Sequence, residues 1–199
     1  SHRFAQNSSF TFATNLYVFD RELRSLIFTA IQDIEIAFRT RIIHYFSMEH
    51  GRFGSWMPAN LRIKVFSIIV LQLQRQLCQE EGAKEFLLPQ YLYLENWIKC
   101  IAVLRNACAH HARIWNRRFP TMPIMPNYLP SQWLITGNFR PNKLYPQLCC
   151  LAYLEQSIAA NGSFSKRLLK LIDKSEIVNT RSMGFPQEWK NEPLWIING

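Results

Sequence analysis

From Asn15 to about Met48 the apolar residues return every three or four positions: Leu23, Leu26/Ile27, Ala30/Ile31, Ile34, Phe38, Ile42 and Tyr45/Phe46. That period sets them along one stripe of an α-helix, and so long a stripe must be covered by other elements. Asp20 and Arg24 stand one turn apart on it and are spaced to pair. Gly51 and Gly54 are the expected stop. A second helical pattern opens at Pro58, buries Leu61, Val65, Ile68, Leu71 and Leu77, and ends at Gly82. A third runs from about Gln90 to Arg118 and is broken by Phe119-Pro120. The pattern returns from about Leu144 to Ala160. After Asn161-Gly162, Ser163 or Ser165 is expected to cap a basic helix that continues through Lys174. No alternating series argues for a sheet, so the expected fold is all-α, an antiparallel helical bundle.

Residues 120–146 differ in kind. Pro120, Pro123, Pro126, Pro130, Pro141 and Pro146 rule out a continuous helix there. Tyr128, Trp133 and Phe139 argue against a loose linker, so the stretch reads as a long irregular connection pinned to the domain by aromatics. The tail from Met183-Gly184-Phe185-Pro186 to Trp195 is Trp-rich and non-helical, and is expected to pack on the body. With no Gly/Ser linker and no break in charge, residues 1–199 read as a single helical domain.

Composition narrows the function classes. The longest apolar runs are a few residues, too short to span a bilayer, and no signal-peptide core opens the chain. The five cysteines (Cys78, Cys100, Cys108, Cys149, Cys150) form no CxxC pair, and the expectation is buried free thiols in a reducing cytoplasm. A formal net charge of +9 favours a polyanionic partner. No Cys/His cluster has zinc-finger spacing, and Asp33 and Glu35 do not face one another on a helix, so neither a metal nor another cofactor is expected. A nucleophile elbow and a phosphate-cradling Gly-rich loop are also absent. Lys166, Arg167, Lys170 and Lys174 read as a solvated face, and Trp56, Trp97, Trp115 and Trp133 as core anchors.

The chemistry concentrates in Arg105-Asn106-Ala107-Cys108-Ala109-His110-His111-Ala112-Arg113-Ile114-Trp115-Asn116. Wound as one helix through Arg117, at about 100° per residue, Arg105, Asn106, Ala109, His110, Arg113, Asn116 and Arg117 share a polar sector. Leu94, Trp97, Ile101, Leu104, Cys108 and Trp115 fall opposite, with His111 beside them at the edge of the core. On this winding His111→Ala is expected to lower stability. An imidazole titrates close to neutral pH and can trade protons. A guanidinium offers a permanent fork of donors to phosphate oxygens. Arg105, Asn106 and His110 are therefore the candidate catalytic residues for cleaving a phosphodiester of RNA, with Arg113, Asn116, Arg117 and Arg118 extending a basic face along it. The competing reading of His110 is an exposed helix-end histidine that counters the negative C-terminal dipole. Glu35 and Arg39 are expected to form a buried structural pair, with a brace for the site as the alternative.

Leu16-Tyr17-x-Phe19-Asp20-Arg21-x-Leu23-Arg24, Ile34-Glu35-x-x-x-Arg39-Thr40 and Leu104-Arg105-Asn106-x-Cys108-Ala109-His110-His111-x-Arg113-x-Trp115-Asn116-Arg117 together resemble the Abi-like (AbiD/AbiF) abortive-infection family. The tail Met183-Gly184-Phe185-Pro186-x-x-Trp189…Pro193-Leu194-Trp195 is similar to the end of that family. The resemblance implies membership of the HEPN superfamily of helical ribonucleases, whose motif is an Arg, four to six residues, then a His. Arg105 and His110 fit it with Asn106 after the Arg. It also implies metal-independent RNA cleavage in phage defence, and a homodimer that joins two Arg/His motifs in one composite site. A structured non-coding RNA is a further implied partner, because these proteins are similar to presumed ancestors of RNA-guided ribonucleases. A non-catalytic module that holds a specific RNA is the alternative. Family members usually carry an extra segment before the Leu-Tyr-x-Phe-Asp helix, so further sequence is expected upstream.

Overall fold

A computed structural model describes residues 9–50, 86–130, 133–158, 163–175 and 177–196, with side chains of the first stretch described through residue 40. The expected helix from Pro58 to Gly82, the stop at Gly51/Gly54, and the placement of Ile42, Tyr45, Phe46, Trp56 and Cys78 lie outside these described positions. Among the described residues the fold is all-α, without a strand: α1 (Phe10–His50), α2 (Tyr91–Ala109), α3 (Leu144–Ile158) and α4 (Phe164–Lys174). Three 3-10 turns follow, at Thr180–Met183, Trp189–Asn191 and Pro193–Trp195. No helix among the described residues is long and apolar enough to cross a membrane.

The stripe of α1 is buried as its period predicts: Leu23, Leu26, Ile27, Ala30, Ile31, Ile34 and Phe38 all lie in the core. α1 packs against α2, α3 and α4. The innermost element is α3, in which every residue from Leu144 to Glu155 is buried. A helix apolar nearly all round has to be covered on all sides, and here α1 and α2 pack on one part of it and the C-terminal turns on another. Pro146 sits in the first turn of α3, where its missing N–H costs no helical bond. α4 is one-sided, with Phe164, Leu168 and Ile172 inward and Lys166, Arg167, Lys170 and Lys174 in solvent.

The cap of α4 departs from expectation. Ser163 occupies the N-cap position but its side chain makes no capping bond. Ser165 is buried, and its hydroxyl accepts from Gln156 Nε2 at 3.2 Å. The orphan donors go to Glu155 of α3 instead, whose Oε1 accepts from Ser163 N (3.0 Å) and Phe164 N (3.4 Å). A carboxylate also complements the positive helix end better than a hydroxyl. Burial outweighs those two bonds and raises the Glu155 carboxyl above its ordinary value near 4.5. A carboxyl that binds its proton more tightly when folded contributes most to stability in acid. That contribution declines as pH climbs from about 4.5 through the raised folded value. Glu155→Gln is therefore expected to gain stability relative to the parent as pH goes from acid to neutral. Paired melting curves across that window measure it, and parallel pH profiles would contradict it.

The Pro-rich stretch is held by side chains that stand in for regular backbone pairing. Trp97 Nε1 donates to Ile124 O (2.8 Å), Asn96 Oδ1 accepts from Ile124 N (2.7 Å), and Gln147 Nε2 donates to Thr121 O (2.8 Å). Trp133 is buried, donates to Pro126 O (2.9 Å), and stacks on Trp97 at 5.5 Å with the Tyr153 ring edge-on to both. Farther along, the buried Glu192 accepts from Ile135 N (2.5 Å) and Thr136 N (3.1 Å). The connection is thus pinned by Trp133 and, more loosely, by Phe139 against Tyr145. Tyr128 is not a pin; its ring is exposed. The tail docks through Phe185, Trp189 and Trp195, with Trp195 Nε1 donating to Tyr145 Oη at 3.2 Å.

Candidate active site

α2 ends at Ala109, nine residues before the expected Arg118. Its buried face holds Leu94, Trp97, Ile101, Leu104 and Cys108 as the winding predicts, with Trp115 only half-buried beyond the helix. The chain then turns out of the helix. His111 N donates to Cys108 O (3.1 Å) and Ala112 N to Ala107 O (2.9 Å), the paired bonds of a Schellman cap. His111 itself sits at φ 53°, in the left-handed position that usually falls to glycine.

Two expectations are corrected by this turn. Arg113, Asn116 and Arg117 do not lie on the helix, so no single helical face carries them with Arg105. His111 is not at the edge of the core but exposed, because the left-handed turn swings it out of the angular series. The burial argument for a costly His111→Ala falls with it. His111→Gly, by contrast, removes the left-handed penalty, and we expect it to raise stability by about 0.5–1 kcal/mol, read by urea denaturation. A loss of stability would mean that the imidazole makes up more than the strain.

Asp20 fixes where the chain goes next. This buried carboxylate pairs with the buried Arg24 one turn along α1. Its Oδ1 accepts from Ile114 N (3.1 Å) and Trp115 N (2.7 Å). Helix α1 therefore holds the strand of chain leaving the Arg/His motif by two backbone bonds. Asn116 follows at φ 51°, and its Oδ1 takes a 2.6 Å bond from Nζ of the buried Lys143. Burial, then the neighbouring Arg118 and Arg140 charges, hold the Lys143 ammonium below its ordinary range. Arg117 is half-buried, with its guanidinium 5.8 Å from the Phe119 ring centre. Arg113 and Arg118 are exposed. Of the four residues expected along RNA, then, Arg113 and Arg118 are exposed, Arg117 leans on a ring and Asn116 braces Lys143.

Arg105, Asn106 and His110 remain together on the last turn of α2. Asn106 and His110 are exposed, and the Arg105 side chain is 32% exposed. His110 is the C-cap residue, and its N–H donates to Asn106 O at 3.0 Å. Its imidazole is thus at the helix end in solvent, a position that suits either proton transfer or dipole compensation. Arg105 is held from behind. Its Nε lies 3.4 Å from Oε1 of Glu35 on α1, and Glu35 Oε2 lies 3.6 Å from Arg39 Nη2. Glu35 Oε1 and Arg39 Nε are buried and have no hydrogen-bond partner among the described residues, so the hold is by charge rather than by aligned bonds. The expected Glu35–Arg39 structural pair is therefore a brace that also reaches Arg105. Its signal was in the sequence: both acids, Asp20 and Glu35, stand inside the motifs that carry the family resemblance.

Cys108, the thiol within the motif, is not a nucleophile. Burial pushes it up to about 12, which keeps it protonated. Cys100, Cys149 and Cys150 are likewise buried and free. Among the described residues no group of three His, Cys, Asp or Glu side chains is arranged to hold a metal ion.

These features define a class: an all-α protein that displays an Arg-Asn-x-x-x-His constellation at the end of a core helix, backed by carboxylates of a second helix. A family model described as Abi-like protein matches residues 1–64 and 54–116, more than half of the chain. The protein belongs to the Abi-like abortive-infection family. The match takes in α1 and all of α2 with the Arg105–Asn116 motif, and does not extend to the tail. No curated protein and no solved structure matches the chain.

Proposed function

We propose that this protein is a metal-independent RNA endonuclease of phage defence, working as a homodimer in the manner of the HEPN superfamily it resembles. One observation carries the reading: at the C-terminal end of α2 an amide and an imidazole are exposed, and a partly exposed guanidinium precedes them, braced from behind by Glu35. His110 acts as general base, taking the proton of a ribose 2′-hydroxyl as that oxygen attacks the adjacent phosphorus. The bond from phosphorus to the 5′ oxygen breaks, and the leaving oxygen takes a proton from the partner subunit's His110 in its imidazolium form. The products are a 2′,3′-cyclic phosphate and a 5′-hydroxyl. Arg105 binds the phosphate and stabilises the charge that builds on it, and Asn106 orients the scissile group. Arg113 and Arg118 take the flanking backbone. Family membership supports the setting in abortive infection; the residues support the chemistry.

The Glu35 carboxylate behind Arg105 favours one other reading, because it offsets part of the charge that a phosphate would meet. A module that holds a structured RNA without cutting it would tolerate that. Incubating the purified protein with total RNA and EDTA separates the two. EDTA-resistant fragments ending in 2′,3′-cyclic phosphate are expected, whereas intact RNA retarded in a gel shift would leave the module.

A further inference from the structure

Between α1 and the end of α2 lies a cavity of about 390 Å³, lined by Arg21, Arg24, Ser25 and Phe28 from α1 and by Cys108, Ala109 and His111 from α2. It is within the size range of ligand sites. None of the residues assigned to catalysis lines it, but His111 and Ala109 flank His110 in the chain. We propose that this cavity is a nucleotide subsite, in which the base lies against Phe28 and a phosphate is met by Arg21, with His111 closing the edge; the proposal rests on the RNA reading above.

Four features of the lining fit that ligand class. The ring of Phe28 and the small Ala109 leave flat apolar surface, which every base can use whatever its sequence. Among the described residues no carboxylate lines the cavity, and the Cys108 thiol in its wall stays neutral, so none of these groups repels an anion. The Arg24 charge is already matched by Asp20, whereas Arg21 is exposed and makes no ion pair among the described residues. A guanidinium of that kind is suited to phosphate oxygens. Finally, His111 occupies a left-handed position that glycine would fill at lower cost, and the imidazole it places there lines the cavity. Strain held in such a residue beside a candidate site points to a role for its side chain.

The test uses Ser25→Trp, an exposed position in the cavity wall, where a large ring is expected to occupy the space a base would take. In a His110→Ala background, binding of a short fluorescent single-stranded RNA by Ser25→Trp and by Phe28→Ala is expected to weaken about ten-fold or more. With His110 intact, the same substitutions are expected to raise KM for RNA and leave kcat within about two-fold. His111→Gly is expected to weaken binding while the protein melts higher. Adenosine monophosphate in a thermal-shift assay distinguishes the source of the ligand. A shift with the free nucleotide that Ser25→Trp abolishes identifies a soluble effector, and an effect on RNA alone identifies a substrate residue. Unchanged RNA affinity in Ser25→Trp, with no shift from the nucleotide, overturns the proposal. Cleavage by the parent protein with such an unaltered Ser25→Trp would leave the nuclease standing and remove only the subsite. Weakened binding without any cleavage by the parent would do the reverse.

Discussion

His110→Ala is expected to melt within a degree or two of the parent protein and to lose RNA cleavage by about 10²- to 10⁴-fold, the usual contribution of a general acid or base. The imidazole is exposed and only its backbone N–H takes part in the helix end, so nothing in the core is lost with the ring. Alanine keeps that N–H and its bond to Asn106 O. The same substitution is expected to abolish growth toxicity when the protein is expressed in a bacterial host. The composite site proposed above predicts a further signature. A dimer with one parent and one His110→Ala subunit lacks either the base or the acid, and its activity should fall far below half. Activity at half the parent level in such mixed dimers would show each subunit working alone. Full cleavage by the variant would leave His110 with only its dipole-compensating role.

Asp20→Ala is expected to be the most destabilising single substitution at the site, by about 3–5 kcal/mol, because it strands a buried charge. Arg24 is as buried as its partner, and among the described residues no second carboxylate pairs with it. The N–H groups of Ile114 and Trp115 lose their acceptor at the same time, and each buried donor left unmet costs about 1–3 kcal/mol. Asp20→Asn keeps an oxygen for those two amides and gives up the charge, so it should fall between parent and alanine. Urea midpoints order the three proteins. A loss below about 1 kcal/mol in Asp20→Ala would mean that water replaces the carboxylate, and that α1 does not fix the path out of the motif.

Glu35 presents a different case on the same helix. Its brace to Arg105 works through charge at 3.4 Å with no aligned hydrogen bond, which leaves the guanidinium able to turn toward a phosphate. Asp20 positions the backbone; Glu35 positions a side chain. α1 thus serves the motif of α2 at two places along its length, and the cavity lined by Arg21, Arg24, Ser25 and Phe28 lies on the stretch of α1 between them.

Periodicity alone determined that the chain is helical, which residues of α1 and α2 go inward, and that Asn106 and His110 are exposed. These follow from spacing at 3.6 residues per turn, a local property that any burying neighbour satisfies. Where α2 stops was a tertiary decision. The run from His110 to Arg117 keeps a helical pattern of polar and apolar residues, but bonds 94 and 95 residues distant in sequence, from Ile114 and Trp115 to Asp20, stabilise a non-helical path instead. His111, expected at the edge of the core, is exposed because the chain leaves the helix through a left-handed turn at that residue. The cap of α4 was settled the same way, by Glu155 rather than by either neighbouring serine. Local propensity proposes an end for a helix; a buried carboxylate from elsewhere in the fold, offering stronger bonds to backbone donors than any nearby hydroxyl, decides it.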